Sequence, residues 1–280
     1  MKQYKIFLVC LCIVGSVANA QTPLDSVKWQ EGPSVGNLNG IAQLQVPSRY
    51  QFAGADDTRT IMTAMHNSLS GEEVGFIAPE AKDSNWYVVF EFDKSGYVPD
   101  NEKNSLDADA ILKSLRDGQV ADNKNRQAKG WSTMAVLDWV QKPRYNELTH
   151  NLEWSFRLQD NSTGNVGINY NTRYLGREGV MNVTLVVDPA SYDETLSRFQ
   201  DVMNGFSYNQ GHSYSEFRPG DKKAEYGLTA LIVGGAAAVA AKTGLFKWLG
   251  ASIVAFWKLI VVGIAAIGAF FKKLFSGKKE

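Results

Sequence analysis

Cysteine is the scarcest reactive residue in this 280-residue sequence: Cys10 and Cys12 are the only two, and both fall inside an N-terminal stretch that reads as a cleavable leader. The chain beyond it carries no thiol, which excludes disulfides, thiolate metal sites and a cysteine nucleophile in any compartment. Histidine is nearly as rare. His66, His150 and His212 lie 84 and 62 residues apart, and none has a second histidine or a carboxylate at a ligand spacing such as H-E-x-x-H. Neither a metal site nor a cofactor is therefore expected. Net charge is zero, with 29 basic and 29 acidic residues interspersed, so the electrostatic footprint of a nucleic-acid binder is missing. No G-x-S-x-G elbow or S-x-x-K motif stands in a setting that would support a serine nucleophile, and Gly234-Gly235 lies within an apolar run rather than a phosphate loop.

Charge is also sparse in one long stretch. From Leu228 to Phe271 there are 44 residues with no proline and three charges, Lys242, Lys247 and Lys258. A helix needs about 20 mostly apolar residues to cross a bilayer, and two candidate spans emerge, 226–246 and the more apolar 252–271. Both belong to a membrane anchor assigned to 224–273, followed by a basic tail at 274–280. Each span must accommodate a lysine whose stem lies along the helix while its ammonium reaches the interface. Lys247, Lys258 and Lys272 are 11 and 14 residues apart, which places them on one helical stripe. The basic tail favours one crossing with the C-terminus inside, while a helical hairpin would put the tail outside; both remain open.

At the other end, Lys2 and Lys5 precede an apolar core from Ile6 to Val14, and Ala18-Asn19-Ala20 precedes Gln21. This pattern predicts a secretory signal peptide over 1–20. The 21–223 stretch is then one extracytoplasmic domain, large enough for a real core.

Its pattern predicts an α+β fold, mainly an antiparallel sheet with packed helices, plus the C-terminal transmembrane helix or helical hairpin. Short strands are expected at 26–31 and 41–46, and a helix from an Asp57 cap to Gly71. A strand pair comes next over 73–78 and 85–93, then a helix after Asp107, then a strand over 134–140 ended by Pro143. Leu152, Trp154, Phe156 and Leu158 alternate with polar residues, as do Val166, Ile168 and Tyr170, and Met181, Val183, Leu185 and Val187; this is a meander. A last helix runs from Asp188 and Pro189 to Gly205. Keeping like faces together assigns the apolar set to the core and gathers Glu153, Ser155, Arg157, Asn169, Asn171, Arg173, Asn182 and Thr184 on a polar face.

That face and the turn Gly176-Arg177-Glu178-Gly179 form the candidate binding constellation. Arg173 and Arg177 could clamp a carboxylate or phosphate, with Asn169 and Asn171 orienting it and Glu178 beside them. An ordinary solvated sheet face is the plainer reading.

The motifs FDKSGYVPDNE (92–102), KPRYN (142–146), NYNTRYLGREGV (169–180), FRPGDKKAEYGLTALIVGG (217–235) and WKLIVVGIAAIGAFFKKLF (257–275) resemble a bacterial family of uncharacterised membrane-anchored proteins, domain of unknown function 2167. The resemblance implies an envelope protein with a C-terminal anchor and no established activity. The function expected is thus a non-enzymatic binding or interaction protein of the inner membrane, its main domain in the periplasm, with the lipid bilayer and an envelope protein as partners. Two alternatives stand beside it. One is an envelope hydrolase or transferase using carboxylates such as Asp93, Glu153 or Glu178. The other is a subunit of a membrane complex whose lysine stripe faces another helix.

Overall fold

The computed structural model describes residues 23–81 and 85–234. The expected leader, most of the 226–246 span, all of 252–271, and Lys247, Lys258 and Lys272 lie outside these residues.

The first half of the described chain contains β1 (Gln30–Glu31), β2 (Ser34–Leu38), β3 (Ala42–Val46), β4 (Tyr50–Gly54), α1 (Ala55–Ala64), β5 (Glu73–Pro79), β6 (Trp86–Asp93) and α2 (Ala108–Ala128). The second half contains β7 (Met134–Asn146), β8 (Asn151–Asp160), β9 (Val166–Leu175), β10 (Val180–Val187), α3 (Tyr192–Met203), β11 (Phe206–Tyr208) and α4 (Leu228–Val233). Eight strands form one antiparallel sheet in the order β1-β4-β5-β6-β10-β9-β8-β7, and β11-β3-β2 form a smaller one. The fold is α+β with a large antiparallel sheet, as the alternation predicts.

One face of the large sheet is covered by the small sheet and α3. Ile77, Val88, Leu185 and Tyr170 stand in one row across four strands, and Leu38, Leu44, Val46, Phe199 and Val202 close over that face. The two sheets approach so closely that a Cβ on Gly75 would lie 2.6 Å from Leu38 Cδ2 and 2.8 Å from Phe52 Cε2. Glycine is required there for space.

The opposite face is covered in two places. α1 lays Ile61 over Ala53, Phe76 and Val89. Farther along, α2 and α4 bring Ile111, Leu228, Leu231 and Ile232 onto Leu152, Trp154, Leu175 and Val180.

This second cover overturns the single polar face. β8 pairs with β9 so that Trp154 stands opposite Asn171, Leu152 opposite Arg173 and Phe156 opposite Asn169. Directly paired residues share a face, so the apolar side of β8 lies with the polar side of β9. Glu153, Ser155 and Arg157 point the other way, beside Thr172, Tyr170 and Ile168. There Arg144 donates to Glu153 Oε2 at 2.8 and 3.0 Å, and Ser155 Oγ lies 3.1 Å from the Tyr192 hydroxyl. Alternation specifies register only when one face alone is buried. Here both are, and the 161–165 turn decides it.

Element boundaries also differ from expectation: the strand expected at 26–31 shrinks to Gln30–Glu31, after a 3-10 turn over Pro23–Ser26. α1 ends at Ala64 instead of reaching Gly71, and Asp56 and Asp57 occupy its first turn rather than the cap, where they face the helix dipole. β7 runs through Pro143 to Asn146 because it is an edge strand, where a missing N–H costs no ladder bond. Side chains of α2 cover the start of that edge: Arg116 donates to the Val136 and Leu137 carbonyls, and Asn123 bonds both backbone groups of Met134. Such a cover blunts the pairing tendency of an open edge.

No helix among the described residues is long and apolar enough to cross a membrane. The apolar stretch begins inside the domain. Leu228 is fully buried in α4, whose first turn is held by Glu102 Oε2 accepting the Thr229 N–H at 2.8 Å. The helix stops after one and a half turns, at Gly234 with φ +112°. We expect Leu228→Ala to lower the unfolding free energy of the detergent-solubilised full-length protein by about 2–5 kcal/mol, the range for deleting a packed core leucine. Denaturant titration followed by tryptophan fluorescence measures it; a change near zero would mean that Leu228 packs against something other than the domain.

Candidate functional site

Between the two covers, the middle of the second sheet face is polar. Alternation in β6 puts Trp86, Val88 and Phe90 on the first core, so Val89, Glu91 and Asp93 point to the other side. Pairing then sets Glu91 opposite Asn182, and Asn182 opposite Arg173. Glu91, Asn182 and Arg173 thus form one row across β6, β10 and β9. The next row holds Thr184 and Asn171, joined by a 3.2 Å hydrogen bond from the Thr184 hydroxyl to Asn171 Oδ1.

Arg173 is the unusual member. Its guanidinium lies 4.7 Å from the centroid of the Trp154 ring, and Nη1 makes a long 3.4 Å bond to the Thr172 carbonyl. None of the ion pairs among the described residues includes it. Burial pulls its pKa down to about 10, against the opposing field of Glu91, Asp93 and Glu72. A desolvated cation over indole gains about 2 kcal/mol, which holds the side chain in place but leaves its Nε donor unused. Nine buried side-chain atoms among the described residues lack a hydrogen-bond partner, and three of them, Arg173 Nε, Asn182 Oδ1 and the indole N–H of Trp154, lie together on this face. Buried polar atoms are seldom left this way, and each such loss costs about 1–3 kcal/mol.

The acidic side of the row is crowded. Glu73, 2 % exposed, accepts the backbone N–H groups of Ser70 and Gly71, and Glu91 accepts the Ser70 hydroxyl at 2.5 Å. The Tyr226 hydroxyl donates to Asp93. Burial pushes the Glu72 carboxyl up to about 7, and repulsion from Asp93, Glu91 and Glu73 adds to it.

The residues expected from sequence are divided by the fold. Asn169, Asn171 and Arg173 share the face, but Arg177 is committed elsewhere. Its Nε and Nη2 donate to the two oxygens of Asp221 at 2.7 and 2.8 Å, tying the turn to the segment that leads to α4. Glu178 Oε2 lies 3.2 Å from His212 Nδ1. His66 stacks on Trp131 at 5.4 Å, and the His150 ring lies 3.2 Å from the Tyr145 hydroxyl. No group of His, Asp and Glu among the described residues is placed to hold a metal ion. Glu72, Glu91, Trp154 and Tyr226 are the additions. The alternation in β6 points to Glu91, whereas the others come to the row only through strand order and through α4.

The Glu72 shift has a definite pH consequence. Its folded pKa lies above the unfolded value, so the native state holds the extra proton and stability falls as pH rises from about 4.5 through about 7. With screening at this half-buried position the loss is about 1 kcal/mol. We expect Glu72→Gln to flatten this slope and to raise the melting temperature at pH 8, measured by thermal denaturation between pH 5 and pH 8; an unchanged slope would remove Glu72 as its source.

Solved structures of similar shape are distant. The solution structure of the cyanobacterial PsbP protein CyanoP from Synechocystis sp. PCC 6803 matches at 11% identity and a TM-score of 0.36, covering 70% of this chain and 99% of that one. The Ran-binding protein Mog1p of Saccharomyces cerevisiae matches at 10% identity and a TM-score of 0.34, covering 69% and 98%. Neither similarity carries a functional argument at that level. Comparison with functionally curated proteins gives no match. Residues 30–268, well over half of the sequence, match the profile of the family described as "Protein of unknown function (DUF2167)", and the chain belongs to that family.

Proposed function

We propose that this protein is exported and held at the bacterial inner membrane by the apolar stretch following Gly234, and that its periplasmic domain is a binding module rather than an enzyme. The leader pattern of 1–20 and the scarcity of charge up to Phe271 support the address. One observation carries the binding role: Arg173 Nε, Asn182 Oδ1 and the Trp154 N–H are unmatched on one sheet face. The binding surface is then Asn169, Asn171 and Arg173 together with Asn182 and Glu91, while Arg177 serves as a structural tie and Glu178 lies in the turn beside His212.

A hydrolase or transferase is the second reading, and Glu72 is what favours it. A carboxyl held near neutral pH beside Asp93 has the character of a general acid. The carboxylates that the sequence offers for that role are spread apart: Glu153 is on the opposite sheet face holding Arg144, and Glu178 is in the turn beside His212.

Fractionation tests the address. Full-length protein is expected in the inner-membrane fraction after a high-salt wash, with the domain open to protease only once the outer membrane is permeabilised. A chain stopped after Gly234 should be released with the periplasm, and full-length protein in the soluble fraction would overturn the anchor. The binding role predicts that Arg173→Ala abolishes cross-linking to partner or ligand while leaving the far-ultraviolet circular dichroism unchanged. Unaltered cross-linking would exclude this face.

A further inference from the structure

The row can be read for the charge and hydrogen-bonding pattern that would complete it. At one end a guanidinium keeps its Nε donor free, 4.7 Å above the Trp154 ring. In the middle, Asn182 Oδ1 is an acceptor without a donor. At the other end Glu91 and, behind it, Glu72 and Asp93 concentrate negative charge that a single arginine does not balance. A simple anion would satisfy Arg173 but meet the repulsion of these carboxylates, and a simple cation would leave Arg173 unpaired.

Spacing narrows the choice further. Arg173 and Glu91 stand two strands apart, about 10 Å between backbones, since neighbouring strands are about 4.8 Å apart. Their side chains lean outward along the row, Arg173 onto Trp154 of β8 and Glu91 onto Ser70. The charges of a single amino acid are too close together to span that gap. Two residues of extended chain cover about 7 Å, and the side chains make up the rest.

We propose that this strip binds a free dipeptide-sized zwitterion, its carboxylate on Arg173, its amide N–H on Asn182 Oδ1 and its ammonium against Glu91. The proposal rests on the reading of the domain as a binding module and names the ligand class of that site. A protein terminus is disfavoured because it offers only one of the two end charges. An arriving ammonium also relieves the mutual repulsion among Glu72, Glu91 and Asp93, so binding lowers the Glu72 pKa and releases protons near neutral pH.

The test uses full-length protein in detergent micelles with its tryptophan indole nitrogens labelled. Glycylglycine is titrated at pH 7.5 beside glycine, N-acetylglycine, which lacks the ammonium, and glycinamide, which lacks the carboxylate. The expected result is a saturable shift of the Trp154 indole resonance with glycylglycine, at least tenfold weaker binding of the other three, and at least tenfold weaker glycylglycine binding in Glu91→Gln. Absence of a saturable shift, or equal affinity for all four compounds, overturns the proposal. The two levels separate cleanly. If glycylglycine fails while Arg173→Ala still abolishes cross-linking in membranes, the binding module stands and only the ligand class falls. If the titration succeeds while Arg173→Ala leaves cross-linking intact, the strip is a ligand site and the partner surface lies elsewhere.

Discussion

The pairing of β8 with β9 is the constraint on which the rest of the structure depends. By setting Trp154 opposite Asn171 and Leu152 opposite Arg173, it sends the apolar side of β8 to the face where β9 is polar. That face then has to be covered at its β8 end, and α2 and α4 are the elements that cover it. The same pairing lays Arg173 over an indole rather than in water. Shifting β8 by one residue would send Leu152 and Trp154 to the opposite face, strand the α2 and α4 contacts, and take the indole away from Arg173. One turn geometry thus creates both a second core and a polar strip beside it.

The strip stays polar even though the two covers meet beside it, where Arg126 of α2 donates to the His66 carbonyl after α1 and His66 stacks on Trp131. α1 is tied to β4 and β5 through Ile61 and Phe76, and α2 to the β7 edge through Arg116 and Asn123. With both helices anchored at the flanks, β6, β10 and β9 are left with polar side chains in between. A core designed only for stability would place apolar side chains there, since each unmatched buried polar atom and each repelling carboxylate weakens the fold. Natural folds retain such costs mainly at functional places, where a ligand supplies the missing partners.

α4 joins this domain to the apolar stretch beyond Gly234. Its leucines belong to the domain core, its start is held by Glu102, and the connection before it is held by the Arg177–Asp221 pair. Tyr226, in the same segment, touches Asp93 at the edge of the strip, so the exit and the strip share a wall.

Much of this architecture is legible in the residues themselves. Period-two alternation marks β6, β8, β9 and β10, the Asp107 and Asp188 caps mark the starts of helices, and the counts of cysteine, histidine and charge remove whole classes of chemistry. Asn169, Asn171 and Arg173 stand out in the sequence as chemically capable. Local pattern says which residues of one strand share a side, but not which side of its neighbour they meet, because that parity is set by turn geometry and by whether one face or both are buried. For the same reason Arg177 and Arg173 look alike in sequence, yet one finds Asp221 from 44 residues away and the other finds a tryptophan ring and, among the described residues, no carboxylate partner. Composition and periodicity determined the elements and the excluded chemistries, while the tertiary pairing alone decided which polar groups would be satisfied and which would stay unpaired.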